Sequence, residues 1–295
     1  MLENINDFIS YLKIVENKSL NTMKAYQRDL IEFSDFMQEK GIGDVQSVSK
    51  TDILAFLEYL NQKGDGAATR SRKLSALKSF FAYLYSYDYI GKEITRNIKA
   101  PKISKKLPVT ATGEESEKII EAAFQEGKCV FNKYRDKAIV SIMFCAGLRR
   151  QEVLDLNIND IDVVSGRVLV HGKGDKQRLV YMNESCCKAV SDYLQERDTL
   201  NEKDESLLFV TMRGKKIMPA QINVIVNRAR DAAGIDKHFT PHSCRKTCAT
   251  LMSESGENIR TIQEVLGHSN IQTTTIYTAV SDKSREHAGR NFKLI

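Results

Sequence analysis

The sequence predicts a mainly α-helical protein with one small antiparallel β-sheet, organised as two domains. Three observations predict it. Apolar residues recur at helical spacing through the first hundred positions and again from Pro219 onward. Between those stretches two short β-rich runs, 167–170 and 177–181, flank the turn Gly172-Lys173-Gly174-Asp175-Lys176. Over 101–112 all periodicity stops. A chain of 295 residues is also too long for one small domain and comfortable for two.

The elements follow in order. Ile5, Phe8, Ile9 and Leu12 mark a first helix, and Tyr26, Leu30, Phe33 and Met37 a second. Gly41-Ile42-Gly43 ends it. A third follows Ser49 and carries Ile53, Leu54, Phe56, Leu57 and Leu60 up to the break Lys63-Gly64-Asp65-Gly66. A fourth begins near Thr69 and runs through Leu74, Leu77, Phe80, Phe81 and Leu84, with Arg70, Arg72, Lys73 and Lys78 on its opposite face. Residues 1–100 thus read as a four-helix bundle with one basic face, able to lie on a duplex. Residues 101–112 hold Pro101, Pro108, Lys102, Lys105 and Lys106, the composition of an extended, positively charged linker. The second domain, 113–295, opens with helices over 114–124 and 133–145. The β-hairpin comes next, then a further short strand at 207–210. Helices resume at Pro219, with Gly234 and Gly267 as C-terminal stops.

Net charge is +6, and it is concentrated. Residues 66–106 hold ten Lys and Arg against Asp88 and Glu93, so the remainder of the chain nets −2. A concentrated positive segment is what neutralising a phosphate backbone requires. No run of eighteen apolar residues exists, so no membrane-spanning helix is expected. The start, Met1 to Asp7, is acidic and lacks the basic-then-apolar order of a signal peptide, which points to the cytoplasm. The six cysteines contain no Cys-x-x-Cys pair and read as reduced thiols. A zinc site at His242, Cys244 and Cys248 is disfavoured, because Cys244 leaves the helical face that His242 shares with Arg245.

The last fifty-odd residues carry the chemistry. Thr240-Pro241-His242-Ser243-Cys244-Arg245 precedes Leu266-Gly267-His268-Ser269-Asn270, and Tyr277 follows His268 by nine positions. Upstream, Ala146-Gly147-Leu148-Arg149-Arg150-Gln151-Glu152 supplies a second arginine and the hairpin tip supplies Lys173. Cleaving a phosphodiester without metal requires three things: charge on the non-bridging oxygens must be met, a nucleophile presented, and the departing 5′ oxygen protonated. Guanidinium suits the first, being permanently charged and able to give two parallel hydrogen bonds; Arg149 and Arg245 are the candidates. Thr240 reads as an N-cap and Pro241 as the first helical residue, which puts His242 and Arg245 on one face at a helix start that favours anions. Lys173, between two glycines, can swing over the phosphate as general acid. A phenol of ordinary pKa about 10 needs cationic neighbours to attack at neutral pH, and Tyr277 would have them.

Arginine, lysine, histidine, arginine, histidine and tyrosine in this order resemble the tyrosine recombinases (integrases), most closely their Xer-type members, in register from about Leu2 to Asp282. The resemblance implies a two-domain architecture, a helical core-binding domain followed by an α+β catalytic domain. It implies that Arg149, Lys173, His242, Arg245, His268 and Tyr277 are catalytic, with Glu152 supporting Arg149. It implies a 3′-phosphotyrosyl intermediate, double-stranded DNA as substrate, a homotetramer in the synapse, and no metal or other cofactor. A second related recombinase is left open as a further partner. The stretch Ser19 to Leu30 and Arg72-Lys73-Leu74-Ser75-Ala76-Leu77 resemble the core-binding domain, which makes Thr22, Lys24, Arg28, Arg70, Arg72, Lys73 and Lys78, with linker Lys105 and Lys106, the DNA-contacting candidates. The tail 281–295 matches the family's protomer-docking segment.

Two departures and two alternatives stand beside this reading. Cys244 and Cys248 replace larger apolar groups of the family's Leu-Arg-His-x-Phe pattern, which bears on packing, and Lys246 adds charge. The core-binding domain begins almost at residue 1, so no arm-binding domain is expected before it, and no long insertion precedes His242 as in integron integrases. A non-enzymatic DNA binder using 259–277 as a helix-turn-helix would need no such catalytic set. A type IB topoisomerase-like relaxing activity would lack sequence specificity.

Overall fold

The computed structural model describes residues 1–102, 109–172 and 177–267. The chain divides into two compact units, Met1–Lys105 and Lys106–Ile295.

The first unit is built from α1 (Leu2–Ile14), α2 (Leu20–Glu39), α3 (Lys50–Gln62) and α4 (Ala67–Ser86). Polar caps set two of the starts. Ser19 accepts from the Thr22 amide, and Ser49 and Asp52 form a reciprocal capping box. The apolar stripes read from the sequence converge: Phe8, Phe33, Phe56, Phe80 and Phe81 are fully buried, with Phe33 and Phe56 edge to face at 5.2 Å. Two charged pairings cross the bundle. Asp29, 2% exposed, bonds Arg72 Nη1, and the Lys73 ammonium lies 2.6 Å from both Glu32 Oε2 and Asp65 Oδ2.

The second unit comprises α5 (Gly113–Gln125), α6 (Val130–Cys145), α7 (Arg150–Asp155), β1 (Ile161–Asp162), β2 (Arg167–His171), β3 (Gln177–Tyr181), α8 (Glu184–Asp198), α9 (Pro219–Ala232), α10 (Pro241–Glu254) and α11 (Ile259–Leu266). Helix α6 is the centre: ten of its residues are buried, and α5, α8 and α10 pack around it. The three strands form an antiparallel meander in the order β1-β2-β3, with Val168 opposite Val180 and Val170 opposite Arg178. Val168, Val170 and Val180 face the core, whereas Leu179 and Tyr181 face solvent. Among the described residues no helix is long and apolar enough to cross a membrane.

Two departures from the sequence reading concern the core of the second unit. The segment 207–210 is not a strand; it makes only isolated bridges, Asn157 with Leu207 and Val210 with Lys216. Leu208, Phe209 and Val210 are buried as a core strand's residues would be, but apart from the Leu208 amide, which donates to the Leu156 carbonyl, side chains supply most of the segment's backbone partners. Tyr193 Oη donates to the Leu208 carbonyl (3.0 Å) and accepts from the Val210 amide (3.1 Å), and Arg197 Nη2 donates to the Leu207 carbonyl (2.9 Å). The second departure is α8, absent from the sequence reading. Its buried stripe is Cys186, Ala189, Val190, Tyr193 and Arg197, small, sulfur-bearing or polar residues that give a weak apolar period.

Candidate active site

Four of the seven residues expected to do or support the chemistry lie in the described part: Arg149, Glu152, His242 and Arg245. Lys173, His268 and Tyr277 lie outside the described residues, as do the linker lysines Lys105 and Lys106 and the tail.

The site begins at the turn between α6 and α7. Gly147 has φ +59°, and a Cβ there would sit 2.7 Å from Leu266 Cδ2 and 3.2 Å from Cys248 Sγ. Glycine is therefore required both for the turn and for the approach of α10 and α11. The small Cys248 fits the same constraint, and its thiol donates to the Cys145 carbonyl at 3.4 Å, which answers the packing question raised by the sequence. Arg149 caps α7. Its amide donates to Glu152 Oε2 and its Nη1 to Glu152 Oε1, both at 2.7 Å. Helix α10 starts as read, with Thr240 as cap and Pro241 in the first turn.

Glu152 is the hub. It is 7% exposed, and besides Arg149 it receives a two-pronged ion pair from Arg178, Nη1 to Oε1 at 2.9 Å and Nη2 to Oε2 at 2.8 Å. Arg245 Nη1 lies 3.9 Å from Glu152 Oε2. Burial pushes the Glu152 carboxyl up, but the bonds from Arg178 and from the Arg149 backbone outweigh it and hold its pKa at about 2.

The same three arginines reach one helix end. Arg178 Nε donates to the Val265 carbonyl (2.8 Å), Arg245 Nη2 to that of Leu266, and Arg149 Nη2 to that of Gly267 (3.1 Å). Consecutive carbonyls at the C-terminus of α11, unpaired within the helix and at the negative end of its dipole, are thus each taken by a guanidinium. Arg245 also donates from Nη1 to the Gly147 carbonyl at 2.7 Å. It is 1% exposed, whereas the Arg149 side chain keeps 45% of its surface in solvent. His242, three residues before Arg245, is exposed. Desolvation, then the positive charges of Lys246, Arg245 and Arg149, lower its pKa, which favours the neutral ring. A neutral imidazole beside guanidiniums can both donate and accept a hydrogen bond. Among the described residues no group of three His, Cys, Asp or Glu side chains converges as a metal site would need.

Arg178 is the functional candidate that the sequence reading missed. The signal was period two: in Gln177-Arg178-Leu179-Val180-Tyr181, Arg178 shares the face of Val180. Leu179 pulled the opposite way, since an apolar residue there suggests the other face as the buried one.

Of the DNA-contacting candidates, Lys24, Arg28 and Arg72 are exposed, and Arg70 and Lys78 are half-buried. Thr22 helps cap α2, its hydroxyl 2.8 Å from Ser19 Oγ. Lys73 is placed differently from the others. It is 6% exposed and held by two carboxylates inside the bundle, because helical spacing turns it toward α2 rather than outward.

A small helical bundle joined to a mostly helical unit that gathers guanidiniums around one polar hub has the make-up of a DNA strand-cleaving enzyme. The pattern of the phage integrase family matches residues 110–284, and that of the phage integrase N-terminal SAM-like domain matches 5–87. The chain is 36% identical to the tyrosine recombinase XerC of Caldanaerobacter subterraneus subsp. tengcongensis, over 97% of this chain and 86% of that protein. It is 34% identical to XerC of Thermodesulfovibrio yellowstonii, over 95% and 92%. Of solved structures, the XerH site-specific recombinase bound to palindromic difH substrate, a post-cleavage complex, superposes with a TM-score of 0.79 at 25% identity, covering 97% of this chain and 84% of that one. The chain belongs to the phage integrase family of tyrosine recombinases, and it is similar to the Xer members. Its activity is site-specific DNA recombination through the family's phosphotyrosyl intermediate.

Proposed function

We propose that Tyr277 is the nucleophile and that Arg149 and Arg245 bind the phosphate it attacks. The phenolate oxygen displaces the 5′ oxygen of the next nucleotide, forming a 3′-phosphotyrosyl bond. Lys173 delivers a proton to that leaving oxygen, which departs as a 5′ hydroxyl. His242 and His268 hydrogen-bond the phosphate and assist proton transfer, and Glu152 holds Arg149. Attack of a 5′ hydroxyl on the phosphotyrosine reverses the step, so religation needs no ATP. The observation that carries this reading is the convergence of three arginines on the last carbonyls of α11, since Gly267 immediately precedes His268 and Tyr277 follows nine residues on.

In this reading 1–100 binds DNA, 101–112 is a basic connection and 113–295 carries the chemistry. Lys24, Arg28, Arg70, Arg72 and Lys78 face phosphates together with Thr22, Lys105 and Lys106; Lys73 serves the fold. The substrate is double-stranded DNA in the cytoplasm. Exchanging two duplexes breaks four strands, and each tyrosine makes one covalent bond, which calls for four protomers, with the tail 281–295 joining neighbours.

The test is covalent trapping. A duplex site selected by the wild-type protein from a randomised library is nicked beside the cleavage position, so that the cut strand diffuses away. Wild type should leave an SDS-resistant adduct, while Tyr277→Phe should bind the same DNA and leave none. An adduct from Tyr277→Phe refutes the nucleophile.

A further inference from the structure

The β3 arginine has no part in the chemistry just proposed, yet all three of its guanidinium nitrogens are hydrogen-bonded at the site. We propose that Arg178 is a positioning residue for strand cleavage: by bonding Glu152 and the end of α11 together, it sets Arg149 and the backbone from which His268 departs. This rests on the reading above, in which Arg149 and His268 contact the scissile phosphate.

Four observations carry it. Arg178 reaches Glu152 with both terminal nitrogens, at 2.9 and 2.8 Å, and a fork-to-fork pair fixes orientation as well as distance. Its remaining nitrogen, Nε, donates to the Val265 carbonyl at 2.8 Å, so one planar group spans α7 and α11 from β3. Gly267 closes over it: a Cβ at that left-handed residue would lie 3.0 Å from Arg178 Cδ and 3.2 Å from Nε. Finally, the arginine occupies a core-facing strand position opposite Val170, where a valine would pack in its place. A largely buried arginine that reaches two catalytic elements holds their geometry more rigidly than an apolar residue would. Strand β3 also follows directly on the hairpin that carries Lys173, so one short segment supplies the acid and anchors the phosphate-binding arginine.

A purely structural role would predict something different, and the chemistry separates the two. The groups facing Glu152 are Arg149 from the start of α7, Arg178 from β3 and Arg245 from α10. Lysine at 178 keeps the charge but loses the fork. Methionine removes the charge and leaves the buried carboxylate with fewer partners. Adding Glu152→Gln to Arg178→Met removes the carboxylate charge that Arg149 and Arg245 alone would have to meet and should raise the thermal midpoint above that of Arg178→Met, yet it cannot restore the link from β3 to α7 and α11.

The experiment measures single-turnover adduct formation on the selected, nicked site at saturating protein, with thermal midpoint and DNA affinity measured in parallel. Arg178→Met should cleave about a hundredfold more slowly than wild type while binding DNA nearly as well, the scale expected when a catalytic group is displaced by about an ångström. Arg178→Lys should fall between them, by about tenfold. In Arg178→Met the rate relative to wild type should also fall further as the pH is lowered, because Glu152 has lost the partner that most offsets its burial. The double variant should be more stable than Arg178→Met and remain slow. Wild-type cleavage in Arg178→Met, or recovery of the rate in the double variant, overturns the positioning role. An absence of adduct from wild type itself would instead overturn the nucleophile assignment, so the two failures are distinct.

Discussion

Both units bury charge, and they do so with opposite stoichiometry. In the N-terminal bundle the carboxylates are sufficient: Lys73 has two, Glu32 and Asp65, and Arg72 has Asp29. In the catalytic unit one carboxylate, Glu152, lies among Arg149, Arg178 and Arg245, and these arginines also bond backbone carbonyls of α11 and of Gly147. The bundle commits its buried lysine, Lys73, to the fold. The catalytic unit orients cations with neutral dipoles, which aim a guanidinium without cancelling its charge. Electrostatic preorganisation of this kind is suited to a phosphate whose charge grows in the transition state.

The largest effects should separate the two arginines that share this arrangement. Arg149→Ala and Arg245→Ala should each slow cleavage by about a thousandfold, but only Arg245→Ala should also lower the thermal midpoint strongly. Arg245 is 1% exposed and ties α10 to Gly147 and Leu266, whereas nearly half of the Arg149 side chain is in solvent. Equal melting temperatures for the two variants would break that distinction.

A smaller effect follows from Glu152. Its pKa is held at about 2, below the ordinary carboxylate value of 4.5, so its contribution is complete above pH 4.5 and is lost as pH falls from 4.5 toward 2. The difference amounts to about 3 kcal/mol. Denaturant titrations of wild type and Glu152→Gln across that window should converge as the pH is lowered; parallel curves would contradict it.

The bundle gives the third contrast. Lys73→Met should cost about 2 kcal/mol of stability by stranding two partly buried carboxylates, and should leave the salt dependence of DNA binding unchanged. Lys24→Ala and Arg28→Ala should do the reverse, each lowering the slope of log affinity against log salt by about one. A reduced slope for Lys73→Met would place that lysine on the DNA after all.

The sequence made some of this legible and hid the rest for identifiable reasons. The four N-terminal helices, the hairpin, the Thr240-Pro241 helix start and the Gly267 stop were readable because period, caps and glycines agree there. Helix α8 was not, since cysteine, alanine and a buried arginine stand where leucines would announce a stripe. Lys73 looked like one more member of a basic face because composition does not say which way a lysine turns. Arg178 escaped for a related reason: its partners, Glu152 and Val265, are 26 and 87 residues away, and a long-range ion pair leaves no local trace.

The central claim is that Arg149 and Arg245 act on the charge of one phosphate, and neutralising that phosphate tests it most directly. Replacing the scissile phosphodiester by a methylphosphonate removes the charge that the guanidiniums are held to meet. Single-turnover adduct formation should then differ little between wild type and Arg149→Ala on the neutral linkage, although it differs about a thousandfold on the natural one. An equally large defect on both linkages would contradict the account.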